Sequence, residues 1–172
     1  MTRTPRSALA AAVALLTLAS RAAGQQQVRT ETSLLLGPAP YDLLGSGTGF
    51  AVRLSGASRL SRRGILLIEP SVGYFTYVTK FGGRSQWIFP ELGLQAEARV
   101  GWARPYLGTG IGAGFETRAG PNQVEFTMHA AGGVRLRFGG SWGARVEMRL
   151  RSVDPFQGGT ADLGLGLTRG IY

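Results

Sequence analysis

From residue 28 to the C-terminus the chain alternates between apolar and polar residues, and this period of two constrains the fold more than any other feature. In the segment 86–100, Leu92 and Leu94 share one face, whereas Glu91 and Glu97 share the other. Because successive side chains of a strand point to opposite faces, the pattern predicts strands with one apolar and one charged face. The sequence therefore predicts an all-β fold.

Glycine, proline and polar turn residues divide this region into eight segments. The predicted strands are 28–36, 47–56, 65–79, 86–100, 105–117, 124–138, 142–152 and 161–171. The longer predicted loops, 37–46, 80–85, 118–123 and 153–160, share one end, and the turns 57–64, 101–104 and 139–141 share the other. An even number of strands returns the C-terminus to the side of the N-terminus. This arrangement predicts an eight-stranded antiparallel up-and-down β-barrel.

The first 24 residues have the features of an export signal. Arg3 and Arg6 precede an apolar run at 8–18, and small residues at 22–24 offer a cleavage site. We therefore predict a signal peptide at 1–24 and a single barrel domain at 25–172. The apolar run is too short to span a bilayer as a helix, and no stretch of 18 apolar residues follows it. Insertion into a membrane would then require a closed barrel.

Alternation alone does not show which face points inward, because a soluble lipocalin-like barrel also alternates. Three features favour a transmembrane barrel with the charged face inside. Glycines at 108, 110, 112 and 114 fall on the charged face, which suits a narrow lumen. Arginines and carboxylates on that face are nearly equal in number, as in a paired interior. Strands of this length, tilted in a barrel, cover about 25 Å, the height of an outer-membrane apolar band.

The charged face predicts a polar network inside the barrel. Its predicted members are Glu69, Glu91, Glu97, Arg99, Glu125, His129, Arg135, Arg137, Arg145, Glu147, Arg149 and Arg151. The network could form an anion-attracting pore or a solid polar core. Eight strands enclose a lumen that side chains can fill, so we favour the solid core.

Residues that could carry catalysis are few. His129 is the single histidine, and no serine stands at the spacing of a histidine–serine pair, so we interpret it as an interior histidine. Glu91 and Glu97 lie six residues apart on one strand, about 20 Å by strand rise, whereas glycosidase carboxylates are roughly 5 to 10 Å apart. Without cysteine the chain has no thiolate metal site or cysteine nucleophile. We predict neither an enzyme nor a metal or cofactor site.

The net charge of +9 does not indicate a nucleic-acid partner. Three arginines belong to the predicted signal peptide, and the remaining 16 basic residues stand against 10 acidic ones. The residual charge of +6 is mild.

The sequence resembles the small outer-membrane barrel families, which include the OmpA-like transmembrane domain, OmpX and the opacity proteins. The resemblance rests on the glycine rhythm of Pro105–Gly114, on Gly132–Phe138 and on Arg145–Arg151. It implies a location in the bacterial outer membrane, contact with lipid and lipopolysaccharide, and insertion through recognition of the C-terminal strand. These families commonly end in a lipid-facing aromatic residue. Here Tyr172 falls on the opposite register unless a bulge at Gly170 re-aims it, and Arg169 falls on the apolar face.

The expected function is that of an integral outer-membrane barrel with a side-chain-filled polar core and a structural or surface-interaction role. A narrow channel or a small hydrophobic-solute transporter is one alternative. A membrane-embedded lipid-modifying enzyme and a secreted lipocalin-like binding barrel are the others. The sequence does not indicate an oligomeric state.

Overall fold

The computed structural model describes residues 30–40, 48–60, 65–78, 83–117, 124–139, 141–154 and 158–171. Eight strands occupy these ranges: β1 Thr30–Pro40, β2 Thr48–Arg59, β3 Leu66–Val78, β4 Arg84–Glu97, β5 Ala103–Glu116, β6 Val124–Gly139, β7 Trp142–Val153 and β8 Gly158–Ile171. None of the described residues belongs to a helix that could cross a membrane.

Each strand pairs antiparallel with its neighbours in sequence, and β1 pairs with β8. The described strands therefore form one closed up-and-down barrel, and closure satisfies the hydrogen-bonding edges that an open sheet would leave free. The predicted eight-stranded antiparallel barrel is confirmed.

The charged face of every strand points into this barrel. On β7, Arg145 and Glu147 are fully buried, whereas Met148 is 52% exposed. On β8, Asp162 is buried and Leu165 is 63% exposed. The ambiguity of the alternation is therefore resolved in favour of an apolar exterior and a polar interior.

Strand ends differ from the prediction at several places. β1 continues through Pro40, although the glycine and prolines after Leu36 predicted a loop. Pro38 lies beyond the last residue of β1 that pairs with β8, so its missing N–H interrupts no ladder on that side. β2 continues to Arg59, and β8 already begins at Gly158. In contrast, β4 ends at Glu97, three residues before its predicted end.

The register between β1 and β8 is continuous through Gly170, so the described part of β8 contains no bulge there. Tyr172 and residues 1–29 lie outside the described residues. The register of the terminal tyrosine and the signal peptide therefore stay predictions.

Candidate functional site

The interior of the barrel is the candidate site, because the titratable side chains converge there. Among the described residues, the inward register holds eight arginines and eight carboxylates. The arginines are Arg53, Arg59, Arg104, Arg135, Arg137, Arg145, Arg149 and Arg151, and the carboxylates are Glu31, Glu69, Glu91, Glu97, Glu116, Glu125, Glu147 and Asp162. Equal numbers allow each buried charge to find an opposite charge, which burial in a low-dielectric interior requires.

Two glutamates hold the centre of the interior. Glu69 Oε2 lies 2.6 Å from Arg145 Nη1, and Glu69 Oε1 accepts a hydrogen bond from Arg149 Nη2 at 2.9 Å. Glu147 pairs with Arg145, and its Oε1 lies 2.6 Å from Arg53 Nη2 and 3.0 Å from Arg149 Nε. Each carboxylate thus touches several guanidinium groups, which links β2, β3 and β7 across the lumen.

The half of the interior towards the longer loops is organised around Glu91. Arg151 donates from Nε and Nη2 to the two Glu91 oxygens at 2.6 and 3.0 Å, a bidentate geometry. Arg149 Nη1 donates to Glu91 Oε2 at 2.7 Å, and His129 Nδ1 lies 3.3 Å from Glu91 Oε1. Arg151 Nη1 also donates to Asp162 at 3.2 Å. Two arginines therefore balance the charge of Glu91.

The terminal end of the interior, where β1 begins and β8 ends, has its own charge cluster, the terminal cluster. Arg135 Nη1 donates to Glu97 at 3.0 Å, and Arg135 Nη2 donates to Glu69 at 3.3 Å. Arg59 also pairs with Glu97, and Arg104 Nη1 lies 3.5 Å from Glu31. Arg135 joins this cluster to the central one, so the ion pairs run continuously along the lumen.

Tyr106 lies between the central and the terminal clusters. The guanidinium carbons of Arg135 and Arg145 lie 4.2 and 4.9 Å from its ring centroid. Its hydroxyl accepts a bond from Arg145 Nε at 2.7 Å and donates to Glu147 Oε2 at 2.5 Å. The aromatic ring therefore fills space between two cations that would otherwise repel each other.

An aromatic cluster lies at the other end of the interior, beside the longer loops. Phe75, Tyr77, Trp87 and Phe89 are buried there, and the Trp87 and Phe89 rings stack at 5.6 Å. Phe75 meets Phe89 edge to face at 5.0 Å, and Arg151 lies over both phenylalanine rings. The polar network therefore ends against an apolar layer.

Most of the predicted network residues meet in these clusters. The structure brings together Glu69, Glu91, Glu97, His129, Arg135, Arg145, Glu147, Arg149 and Arg151. Arg137 lies at the terminal end, 4.0 Å from Glu31 and 30% exposed. Glu125 is partly exposed at the start of β6, and no ion pair among the described residues includes it.

The assignment of Arg99 to the interior is wrong. β4 ends at Glu97, so the alternation no longer applies, and Arg99 is exposed in the turn that follows. The predicted inner face omits Arg59 and Arg104. The predicted second strand ends before Arg59, and the predicted fifth strand begins after Arg104. The sequence did contain a signal for both residues, because alternate residues of a strand share a face. Arg59 falls on the same face as Arg53, and Arg104 falls on the same face as the inward glycines of β5.

Tyr106 and the aromatic cluster were also missed. Trp87 and Phe89 alternate in step with Glu91 along β4, so they share its face. The alternation of the sequence could have placed these aromatic residues inside the barrel. It could not have shown that they pack against one another.

The histidine of the interior and a neighbouring hydroxyl on the same face of β6 are both buried. His129 is 5% exposed, and Thr127, the hydroxyl two residues away on the same face, is fully buried. No set of three histidine, cysteine or acidic residues in the described ranges is placed to hold a metal ion.

The fold is that of small transmembrane barrels, as comparison with solved structures shows. Neisserial surface protein A superposes with a TM-score of 0.62 at 16% identity, covering 84% of this chain and 97% of the other. The N-terminal β-barrel domain of Pseudomonas aeruginosa OprF gives 0.57 at 15% identity, covering 86% and 100%. The outer-membrane enzyme PagL gives 0.55 at 16% identity, covering 82% and 99%. The resemblance to small eight-stranded outer-membrane barrels is thus confirmed for the fold.

No family model and no curated protein matches the sequence significantly. The neighbours include a surface protein, a domain of a larger protein and an enzyme, so their fold alone does not assign a function.

Proposed function

We propose that the chain is an integral protein of the bacterial outer membrane, with a side-chain-filled polar core and a structural or surface-interaction role. The observation that carries the proposal is the combination of a continuous ion-paired interior with an apolar exterior. Neither a soluble protein nor an open pore needs both features.

The exterior supports a lipid environment. Leu107 and Phe138 are 73% and 67% exposed, and leucines of β1 and β8 add to the same surface. Monomeric soluble proteins rarely expose contiguous apolar surface of this kind. Trp102 and Trp142 are exposed near the terminal end of the barrel, where an interfacial aromatic belt is expected. The soluble lipocalin-like alternative does not fit, because its apolar face would have to point inward.

The interior supports a barrel that is closed to solutes. An ion crossing it would have to separate Glu69 from Arg145 and Glu91 from Arg151, and then pass the aromatic layer at Phe89. Breaking either buried ion pair costs several kcal/mol. The same packing separates His129 from any substrate in the surrounding medium, which supports a role without catalysis.

The partners that we propose are the lipids around the barrel. Phospholipid and lipopolysaccharide would contact the apolar exterior, and the insertion machinery would engage β8, whose outward side chains include Leu163, Leu165 and Leu167. The proposed surface role is compatible with the fold that the chain shares with a Neisserial surface protein.

Purified protein tests this function in two steps. Unheated and boiled samples should migrate differently on a detergent gel, because a folded barrel resists dodecyl sulfate until it is heated. The same preparation, reconstituted into a planar bilayer, should give no discrete single-channel currents. The gel shift shows that the silent sample is folded. Reproducible conductance steps would contradict the closed core and support the channel alternative.

A further inference from the structure

The outer surface of the barrel carries a charged residue that the interior network does not use. Arg169, near the end of β8, is exposed and lies on the outward register. Among the described strand residues, only Arg84 shares this combination of charge and outward position, and it begins β4 at the opposite end of the barrel. An isolated cation on an apolar face is costly unless water or an anion meets it.

Arg169 stands in a row of three outward residues on adjacent strands. Thr32 of β1 is its register partner on one side, and Trp142 of β7 is its partner on the other. All three residues are exposed, and the Arg169 guanidinium carbon lies 5.5 Å from the centroid of the Trp142 ring. Directly opposed residues of antiparallel strands have Cβ atoms about 5 Å apart. A hydroxyl, a guanidinium and an indole therefore share one small area of surface.

Backbone hydrogen bonding holds the strands of this area in place, and the area lies at one end of the barrel. The Gly170 N–H donates to the Ser141 carbonyl at 2.7 Å, which holds the end of β8 against the turn before β7. The row lies at the end of the barrel where β1 begins and β8 ends. Outer-membrane barrels have short periplasmic turns and longer extracellular loops, so the end with the shorter predicted turns is oriented towards the periplasm and the row lies at the headgroup level of the inner leaflet.

The next outward rows, which lie closer to the middle of the barrel, are apolar. Leu34 pairs with Leu167, and Leu36 pairs with Leu165 in the next outward row. These four leucines are between 44% and 63% exposed. The surface therefore has the layout of an amphiphile, with a cation and a hydroxyl at one end and an apolar track leading away from them.

We propose that Thr32, Arg169 and Trp142 bind the headgroup of an anionic glycerophospholipid of the inner leaflet, with its acyl chains along the leucine rows. The guanidinium and the hydroxyl donate to the phosphate oxygens, since Arg presents a planar fork that matches phosphate. The indole packs at the glycerol level, where amphipathic aromatic side chains concentrate. This inference rests on the proposed membrane location.

Fluorescence quenching by brominated lipids tests the site. The protein is reconstituted into two kinds of vesicles with the same ratio of phosphatidylglycerol to phosphatidylcholine, of which either one or the other lipid is brominated. We expect quenching that shows enrichment of phosphatidylglycerol at the wild-type protein. The variant Arg169→Gln should reduce this enrichment roughly fivefold, the effect of one cation at an anionic lipid surface.

Two further variants make the test specific. Arg84→Gln removes the other outward arginine and should leave the enrichment unchanged, and Thr32→Val removes a donor without a charge and should weaken it. Equal losses for Arg84→Gln and Arg169→Gln would show only general charge attraction and overturn the site. Unchanged enrichment in Arg169→Gln would also overturn it. Absence of quenching by either lipid would instead contradict the membrane location itself.

Discussion

At the scale of single residues, the molecule depends on inward side chains that each contact several partners. Glu147 is fully buried and touches Arg53, Arg145 and Arg149, and it accepts a hydrogen bond from Tyr106. Removal of such a carboxylate leaves several cations in a low-dielectric interior without their counter-charge. The inward arginines are thus a source of stability only while their partners are present.

The substitution Glu147→Leu should lower the free energy of unfolding by about 3 to 5 kcal/mol, because it strands buried arginines. The control is Asp154→Asn, since Asp154 is exposed at the end of β7 and asparagine tolerates its φ of 43°. Urea titrations of both variants in the same detergent measure the difference. Similar unfolding midpoints for the two variants would argue against the inward register of Glu147.

A second prediction concerns the inward glycines of β5. A Cβ atom at Gly110 would overlap the His129 ring and would lie 2.5 Å from the backbone oxygen of Leu92. We expect Gly110→Ala to destabilise the barrel by about 1 to 3 kcal/mol, as overpacking does.

Gly56 supplies the matched control for this change. It lies on the outward face of β2, and a Cβ atom there would meet nothing within 4 Å. Gly56→Ala should therefore leave the urea midpoint unchanged or raise it slightly. A Gly110→Ala variant as stable as Gly56→Ala would show that the lumen is not packed as described.

At the scale of elements, the strands were predictable because every second residue of each strand points into the barrel. The rule located the alternating residues of β6 and β7 and showed which of them are charged. It failed at strand ends, where Arg59, Arg99 and Arg104 were misplaced, since composition marks a turn only to within a few residues. It also could not reveal which arginine pairs with which glutamate, because those partners come from strands far apart in sequence.

The ladders of the described strands are interrupted at two prolines, and the pairing of β6 with β7 has a separate register shift between Arg137 and Gly139. The pairing of β2 with β3 skips Gly56 and Ala57, opposite Pro70 and Glu69. The pairing of β4 with β5 skips Phe89 and Pro90. Proline has no N–H to donate, so a backbone carbonyl opposite it loses its bond. Such a carbonyl is costly where lipid replaces water.

Replacement of Pro70 by valine should restore this donor and raise the free energy of unfolding by about 1 kcal/mol. Val72→Leu, on the same face of β3 where the pairing with β2 is intact, should have little effect. Urea midpoints of both variants measure the gain. A Pro70→Val protein that is less stable than the wild type would show that the interruption is not a missing hydrogen bond.

At the scale of the whole molecule, a closed barrel with an ion-paired interior and an apolar exterior accounts for both faces of the alternation. It also accounts for the near-equality of inward arginines and carboxylates and for the glycines that leave room for them. The architecture could be predicted from the sequence, whereas the aromatic cluster at one end of the lumen and the outward row around Arg169 required the strand register.

The central claim is that the apolar faces of the strands contact lipid. Because the chain has no cysteine, single cysteines at Met148 and Leu165 can each carry a nitroxide label without competing sites. Electron paramagnetic resonance of these labels in bilayers then compares collisions with oxygen, which concentrates in lipid, and with a water-soluble nickel complex. We predict that oxygen collisions dominate at both positions. Dominant collisions with the nickel complex would place these faces in water and contradict the account.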